Sequence, residues 1–408
     1  MKLNKLLVAL AASGIATSAF ATNGDNLIGL GAQARALGGT GTAAFFGSEN
    51  ALTNPALLAK SKGTEFAFGG TVFMPDVKAT ATTAGAGSQT SEADLSVIPE
   101  VSLSNRINDK WTLGIGMYGS AGMGVDYRDT DALFNGYTNL QMMKFAPTAA
   151  YNGNGFGFGI APVIQYGALD INYRQDTDAN GQTDTTFGSG TSSDIGFGFN
   201  IGGYFDVTKD LTLGLSYQSA IDMEYDRQIT TAAAGFQLPA FGLNLTDNLE
   251  QPAEIKLGVA YATGPWMVTG DYKQIKWGSA KGYKDFNWDD QNVFGLGVKY
   301  SGNRFWVGAG YNYGKDPIKV LPSTSYPNQA INMFNNHFFP GIVEKHFTFG
   351  GGVTLGKNSM LDMAVVYADE VDKTIETGFV SQSANPALTS HTVTHSQLGY
   401  TISVRMNF

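Results

Sequence analysis

The sequence predicts an all-β membrane protein: a fourteen-stranded antiparallel transmembrane β-barrel with an N-terminal plug in its lumen. Three observations indicate this fold: runs in which apolar residues alternate with small or polar ones, short turns that join these runs in pairs, and a segment without strand pattern ahead of them. The composition agrees, because 52 of the 408 residues are glycine and only 15% are charged, whereas soluble domains average about 25% charged residues.

Composition also excludes several classes of protein. The chain has no cysteine, which excludes disulfides, zinc–thiolate sites and thiol nucleophiles. Its 26 basic and 35 acidic residues give a net charge of −9, which argues against a nucleic-acid partner. Past residue 21 no run of about 18 apolar residues occurs, so no helical membrane span is predicted. No catalytic motif such as G-x-S-x-G, a P-loop or H-E-x-x-H is present, and we expect neither an enzyme nor a cofactor.

Residues 1–21 have the features of a secretory signal peptide. Lys2 and Lys5 form a basic start, an apolar stretch follows, and Ala19-Phe20-Ala21 supplies the small residues of a cleavage site. We expect cleavage after Ala21 and export of the remaining chain to the outer membrane of a Gram-negative cell.

Residues 22–63 show no strand periodicity. Apolar side chains such as Leu27, Ile28 and Leu52 favour their burial. Since the rest of the chain accounts for the wall, we expect this segment to fill the lumen as a plug, or hatch; a flexible periplasmic tail is the alternative. Asn54-Pro55-Ala56 within it is predicted to be a turn, because proline fixes φ and asparagine favours turns.

Residues 64–408 are predicted to form the barrel wall. From Leu398 to Phe408 every second residue is apolar and the others are small or polar, as in a lipid-facing strand. Tight turns alternate with long loops, the asymmetry of outer-membrane barrels, which puts both termini in the periplasm. The predicted strands are 64–74, 94–104, 111–120, 140–151, 155–173, 191–207, 211–225, 252–262, 265–277, 291–301, 304–314, 344–356, 359–371 and 395–408.

The third run loses its strand character near its end. The stretch from Gly119 to Gly124 has three glycines in six residues. Glycine inside a strand marks a bulge or bend and weakens the ladder. We therefore expect a break in the wall that opens a side port; a strand that ends at a glycine-rich loop is the alternative.

These segments resemble the FadL/TodX family of outer-membrane channels for long-chain fatty acids and other hydrophobic compounds. Gly29–Gly39 and Asn54-Pro55-Ala56 resemble the family's N-terminal hatch. Ser120–Tyr127 followed by Asn139–Met142 resembles its third-to-fourth-strand region, and the terminal Phe408 matches. The resemblance covers essentially the whole chain after the signal peptide. It implies a fourteen-stranded barrel, a hatch that closes the ligand path, a kink of strand three at Gly122 and lateral release of ligand into the membrane.

Lys144 is the candidate carboxylate-binding residue. A fatty-acid carboxylate in an apolar lumen needs a cation, because an unpaired buried charge is costly. Lys144 shares an inward face with Leu140 and Met142, which are candidates for ligand contact, and has no partner nearby in the sequence. Two other inward lysines are expected to face carboxylates across a symmetric hairpin at 262–265: Lys256 with Asp271, and Lys273 with Glu254.

Three further patterns in the sequence are candidate sites. The loop around Phe236, Leu238 and Phe241 is unusually apolar, which indicates a ligand-collecting groove, with packing against its neighbours as the alternative. Asp176–Asp184 has the oxygen spacing of a calcium loop, but Phe187 stands where the closing glutamate belongs, which favours an exposed turn. We expect no metal at the histidines, because the pair at His391 and His395 straddles a loop and a strand.

The function predicted from these features is uptake of long-chain fatty acids or hydrocarbons by binding in the barrel and lateral diffusion through strand three, gated by the hatch. A general polar-solute porin is the alternative, but a porin needs an open water channel with a charged constriction. The expected partners are the hydrophobic ligand and the surrounding outer-membrane lipid and lipopolysaccharide, and we expect a monomer.

Overall fold

Fourteen antiparallel strands form a closed barrel in a computed structural model that describes residues 22–81, 88–175, 185–380 and 389–408. Each strand pairs with the next in sequence, and the last pairs with the first from Asn407 to His391, so the wall has no free edge. Strands β1 to β14 are Thr64–Ala81, Ser96–Arg106, Trp111–Asp126, Tyr137–Asn152, Phe156–Gln175, Ser192–Asp206, Leu211–Gln218, Glu254–Thr263, Trp266–Ile275, Gln291–Ser301, Phe305–Gly314, Lys345–Leu355, Ser359–Glu376 and Ser390–Asn407. Four short strands pair with this sheet: Thr22–Asn23, Asn26–Leu27, Gln89–Thr90 and Thr185–Phe187.

The predicted fourteen-stranded antiparallel barrel is confirmed, and the predicted strands differ from the observed ones mainly at the long-loop end. There β1, β3, β13 and β14 extend further than predicted, because their pairing continues through polar sequence that lacks the apolar alternation; β13 and β14 stay paired up to Glu376 and Ser390. Strand β7 instead ends early, at Gln218, where the chain enters a folded loop held by a bridge between Ile221 and Gln251.

The wall has an apolar outer face. In β5, Phe158, Ile160 and Ile164 are exposed on the outside, whereas Ala161 and Val163 between them are buried. This alternation is what a wall in contact with lipid requires. Aromatic pairs mark the tight-turn end: the rings of Trp111 and Tyr151 lie 5.3 Å apart, and those of Trp266 and Tyr300 lie 5.0 Å apart.

The N-terminal segment, residues 22–63, is enclosed by the wall, and nearly all of its side chains are buried. It contains helices α1 (Ala32–Ala36) and α2 (Asn50–Thr53) and a 3₁₀-helix (Pro55–Lys60). Inward glycines let its backbone approach the strands: a Cβ on Gly310 would lie 2.2 Å from the amide nitrogen of Gly38, and one on Gly214 would lie 2.0 Å from the carbonyl oxygen of Thr42. Close backbone approach is a recognised use of glycine in strands, and it explains much of the glycine content.

The long loops fold over the opposite end of the barrel. Helix α3 (Ile229–Gly235) and helix α4 (Tyr326–Phe338) pack there among 3₁₀ turns, and ten of the thirteen α4 residues are buried. Buried asparagines of α4 bond neighbouring loops: Asn335 donates to the carbonyl oxygen of Phe286 at 2.7 Å, and Asn336 to that of Lys373 at 3.1 Å. Within the described residues, no helix combines the length and apolarity needed to cross a membrane.

Candidate functional site

A cavity with a mixed polar and apolar lining, which we call the inner cavity, lies between the N-terminal segment and the wall. Asn26–Leu30 of the N-terminal segment line this cavity, and the strands contribute both cations and carboxylates to its lining. The charged lining residues are Lys144 of β4, Glu254 and Lys256 of β8, and Asp271 and Lys273 of β9. An amphipathic molecule would therefore meet fixed charges on one side and apolar N-terminal side chains on the other.

Lys144 reaches this cavity because of the period of β4. Leu140, Met142, Lys144 and Ala146 lie on the buried face of the strand, and Lys144 is only 2% exposed. Within the described part of the chain, no carboxylate oxygen lies within 4.0 Å of its ammonium group. Met142 and Leu140 are fully buried beside it. The structure thus brings the predicted cation to a cavity without giving it an ion-pair partner.

The two predicted cross-strand ion pairs are wrong. Thr263 pairs with Trp266, so the turn contains only Gly264 and Pro265, and the register differs by two residues from the predicted one. Lys256 therefore lies opposite Lys273. The observed ion pair runs along one strand, with 3.0 Å between Lys256 Nζ and Glu254 Oε2.

Asp271, the predicted partner of Lys256, bonds the N-terminal segment instead. Its Oδ2 accepts the backbone amides of Gly41 and Thr42, each at 2.9 Å. The inner cavity is consequently lined by three lysines, of which Lys256 alone has an ion-pair partner among the described residues.

Asn54-Pro55-Ala56 is a tight connection between α2 and the 3₁₀-helix. Asn54 Nδ2 donates to the carbonyl oxygens of Thr42, at 2.7 Å, and of Gly203 in β6, at 3.1 Å, while its Oδ1 accepts the amide of Ala56 at 3.1 Å. A Cβ on Gly159 of β5 would lie 2.3 Å from the amide nitrogen of Ala56. The motif is thus held against the wall in two ways. The Asn54 side chain bonds β6, and Gly159, which has no side chain, lets the backbone of Ala56 pack directly on β5.

The pairing of β3 with both of its neighbours is irregular within the glycine-rich stretch. The ladder between β2 and β3 ends at Glu100 and Tyr118, and the pairing of β3 with β4 shifts register between Gly119 and Ala121. The irregularity therefore centres on Ser120, two residues before Gly122.

The N-terminal segment bonds β3 where β2 no longer does. Asn26 pairs with Ala121, and the amide of Gly122 donates to the carbonyl oxygen of Asp25 at 3.1 Å. Irregular backbone at membrane depth is tolerated where protein covers it, and here the N-terminal segment supplies that cover.

The predicted groove-forming residues lie at the long-loop end, and they differ in exposure. Phe236 and Leu238 are buried; the ring of Phe236 packs 5.3 Å from that of Tyr173. Phe241 is 51% exposed and stacks on Tyr326 with 5.0 Å between the ring centroids.

A second, smaller cavity, which we call the outer cavity, lies among these loops. Its lining is apolar apart from Asn335 and the polar atoms of its tyrosine and tryptophan: Ile229, Leu249, Tyr283, Phe286, Trp288, Asn335 and Phe339.

A network of charged side chains joins the N-terminal segment to the wall. Its ion pairs were not predicted from the sequence. Arg35 of α1 is fully buried and lies 2.9 Å from Glu100 of β2. Arg405 of β14 lies 2.8 Å from Asp362 of β13. Arg35 could have indicated such a network, because it is a single arginine in an otherwise largely apolar, alanine-rich stretch and a buried guanidinium requires a carboxylate partner.

Among the described residues, Glu49 has no cation within 4.0 Å of its carboxylate oxygens. Its Oε1 accepts the hydroxyl of Ser403 at 3.3 Å. Burial raises the pKa of Glu49 to about 8, opposed by Arg405 and reinforced by Asp362 and Glu100. Glu49 is therefore protonated at neutral pH while it stays at the wall.

Metal binding has no support in the described residues, where no group of three or more His, Asp or Glu side chains is placed to hold an ion. His391 and His395 both lie on β14, so the prediction that they straddle a loop and a strand is wrong. His391 bonds His337 of α4, with 3.2 Å between the two ring nitrogens. The calcium-like loop Asp176–Asp184 lies outside the described residues.

Comparison with known proteins gives a family match over nearly the whole chain. Residues 8–408 match the family described as "Outer membrane protein transport protein (OMPP1/FadL/TodX)". The chain is 25% identical to outer membrane protein P1 of Haemophilus influenzae, covering 90% of each protein. It is also 25% identical to the long-chain fatty acid transport protein of Escherichia coli O6:H1, covering 79% of this chain and 83% of that protein.

Solved structures share the fold at lower sequence identity. The toluene transporter TodX of Pseudomonas putida superposes with a TM-score of 0.69 at 19% identity, covering 94% of this chain and 99% of that one. A FadL homologue of Pseudomonas aeruginosa gives a TM-score of 0.68 at 14% identity, covering 95% and 100%. These structural similarities establish the fold.

Proposed function

Since this chain belongs to the OMPP1/FadL/TodX family of outer membrane transport proteins, we propose that it takes up hydrophobic molecules and releases them sideways into the membrane through the break in β3. The observation that carries the proposal is the loss of β2–β3 pairing past Tyr118, at a place where the N-terminal segment covers the unpaired part of β3. Withdrawal of that cover leaves an opening between two strands rather than along the barrel axis. An apolar molecule leaving there passes from protein into lipid without crossing water.

The inner cavity supports long-chain fatty acids as the substrate class. Lys144 and Lys273 line it without a carboxylate in ion-pair contact among the described residues, and a carboxylate ligand supplies the missing partner. Leu140 and Met142 flank Lys144 on the same face of β4 and suit an alkyl chain. The relative from Escherichia coli is named for fatty acid transport and the Pseudomonas putida neighbour for toluene, so neutral hydrocarbons are the competing substrates.

We assign gating to residues 22–63, which act as a hatch inside the barrel formed by residues 64–408, after removal of residues 1–21. The contacts of Asn54-Pro55-Ala56 with β5 and β6 support this assignment, because they hold the segment across the lumen. In the membrane, the long loops face outward and the tight turns and both termini face the periplasm. Phe236, Leu238 and Phe241 belong to the outer region that collects the ligand. The chain acts as a monomer among outer-membrane lipid and lipopolysaccharide.

Gly122→Arg tests the lateral route. The amide of Gly122 bonds Asp25 at the break, so a long charged side chain there fills the opening. We expect normal assembly, measured by heat-resistant electrophoretic mobility, and loss of labelled fatty-acid uptake in cells that lack their own transporter. Asp226→Arg, on a loop residue that is 80% exposed, is the matched control and keeps the parent rate. Parent-level uptake by Gly122→Arg at equal surface abundance would rule out the lateral route, and continuous ion conductance by the parent would favour a porin.

A further inference from the structure

A three-ring aromatic cluster separates the two cavities. The rings of Trp277, Tyr283 and Trp288 lie within 5.1 Å of one another, centroid to centroid, and all three side chains are buried. Tyr283 and Trp288 line the outer cavity, Asn26 and Leu27 line the inner cavity, and the two cavities share no lining residue. A molecule that passes directly from one to the other between these residues would have to displace this cluster.

The tip of the N-terminal hairpin closes the cluster from the inner side. Asn23 pairs with Asn26, so Gly24 and Asp25 form a two-residue turn. Gly24, at φ +68°, presses its backbone against the rings, because a Cβ there would lie 2.8 Å from Trp277 Cζ2. The Tyr283 hydroxyl donates a hydrogen bond to Asp25 Oδ2, and this is the polar contact between the cluster and the hairpin tip.

Asp25 also connects this contact to the inner cavity and to the wall. Its carbonyl oxygen accepts the amide of Gly122 beside the break in β3. Burial raises the pKa of its carboxyl group to about 6, and the positive charge of Lys144 opposes this increase. Movement of one side chain, Tyr283, therefore changes the environment of the cavity cation and of the covered opening together.

We propose that the Tyr283–Asp25 hydrogen bond is an inner gate: it holds the outer and inner cavities apart, and its opening sets the rate at which a ligand held by its apolar tail among the loops reaches the lysines below. This inference rests on the proposed function. The gate is closed both before and after the ligand enters, so it controls the rate of passage and leaves the final affinity unchanged. Tyr283 and Asp25 are positioning residues, since neither is required to contact the ligand's carboxylate.

Stopped-flow binding of a fluorescent long-chain fatty acid to the purified full chain tests the gate. Tyr283→Phe keeps the ring and removes the donor. Loss of a hydrogen bond to a charged acceptor is expected to speed both association and dissociation by about tenfold, with an unchanged Kd. Asp25→Asn keeps an acceptor of the same size without the charge, so we expect a smaller acceleration in the same direction. Tyr225→Phe is the matched control, because this buried tyrosine hydroxyl has no hydrogen-bond partner among the described residues, and it keeps the parent rates.

The outcomes separate the gate from the transport function. If the parent shows no saturable binding, the proposed function fails and the gate with it. If the parent binds and both gate variants keep its rates, the gate is overturned while the function stands. A changed Kd with an unchanged association rate assigns Tyr283 to ligand contact, which also overturns the gate. Should Tyr283→Phe fail to assemble, the Asp25→Asn rates decide between these outcomes.

Discussion

Among single residues, Lys144 is the contact that we propose for the polar end of the ligand. It is buried at the inner cavity, and its ammonium group lacks an ion-pair partner among the described residues. Lys144→Met preserves length and removes the charge. We expect fatty-acid binding to weaken by roughly ten- to hundred-fold, because a charge-assisted hydrogen bond contributes about 1.5–3 kcal/mol. A neutral hydrocarbon of equal chain length should bind the variant and the parent alike.

The control for this experiment is Lys345→Met, which removes an exposed lysine at the start of β12. Binding of both ligands, measured by titration calorimetry in detergent, should be unchanged in the control. Equal losses for the fatty acid and the hydrocarbon in Lys144→Met would show that the side chain fills space and does not pair with a carboxylate.

The inward orientation of Lys144 was predictable, because the two-residue period of a strand is local information. The partners of Lys256 and Lys273 were not. Cross-strand register depends on where the turn closes, and the two-residue turn at Gly264-Pro265 shifts every pair by two residues. A shift of two keeps each side chain on its own face, so these lysines still face inward although the predicted ion pairs were wrong.

Among structural elements, the seat of Asn54-Pro55-Ala56 determines whether the N-terminal segment stays in place. A Cβ on Gly159 would lie 2.3 Å from the backbone of Pro55 and of Ala56, and backbone cannot move aside as a flexible side chain can. Gly159→Ala should therefore displace the 3₁₀-helix from β5 and leave the barrel intact. We expect faster swelling of liposomes in a polar solute, with heat-resistant mobility unchanged.

Gly203→Ala is the control on the neighbouring strand. Its Cβ would lie 3.6 Å or more from the nearest atoms, which is ordinary contact. The control should keep the parent swelling rate. Identical permeability of Gly159→Ala and the parent would mean that the segment does not limit passage through the lumen.

Glycine has two structural roles in this barrel, and only one of them could be predicted from the sequence. Three glycines close together in β3 predicted the irregularity at Ser120, because local spacing reveals a weakened ladder. Isolated inward glycines such as Gly159 and Gly214 instead accommodate the backbone of a segment more than 100 positions earlier in the chain. A strand's own sequence holds no information about such a distant partner, so the strands were predictable and the seat of the segment was not.

For the whole molecule, the balance of buried charge controls how firmly the N-terminal segment is held. Three cations, Arg35, Lys299 and Arg405, lie in the charged network at its contact with the wall. Four acidic side chains accompany them: Glu49, Glu65, Glu100 and Asp362. The set is neutral only when one carboxyl group is protonated, and the raised pKa of Glu49 identifies it as that group.

Permeability should consequently depend on pH through Glu49. At the wall its pKa is about 8, against 4.5 as the ordinary value that a released segment would regain. The held state binds the extra proton, so its stability is fully present below pH 4.5, is lost as pH rises, and becomes constant above pH 8. The loss is on the order of 1 kcal/mol per pH unit within that window. We expect polar-solute permeability of the parent in liposomes to rise between pH 5 and 8, and Glu49→Gln, neutral at every pH, to remove most of this rise. Glu92→Gln, at an exposed loop position, should keep the parent profile. A flat parent profile, or a Glu49→Gln profile as steep as the parent's, would place the control of the segment outside this network.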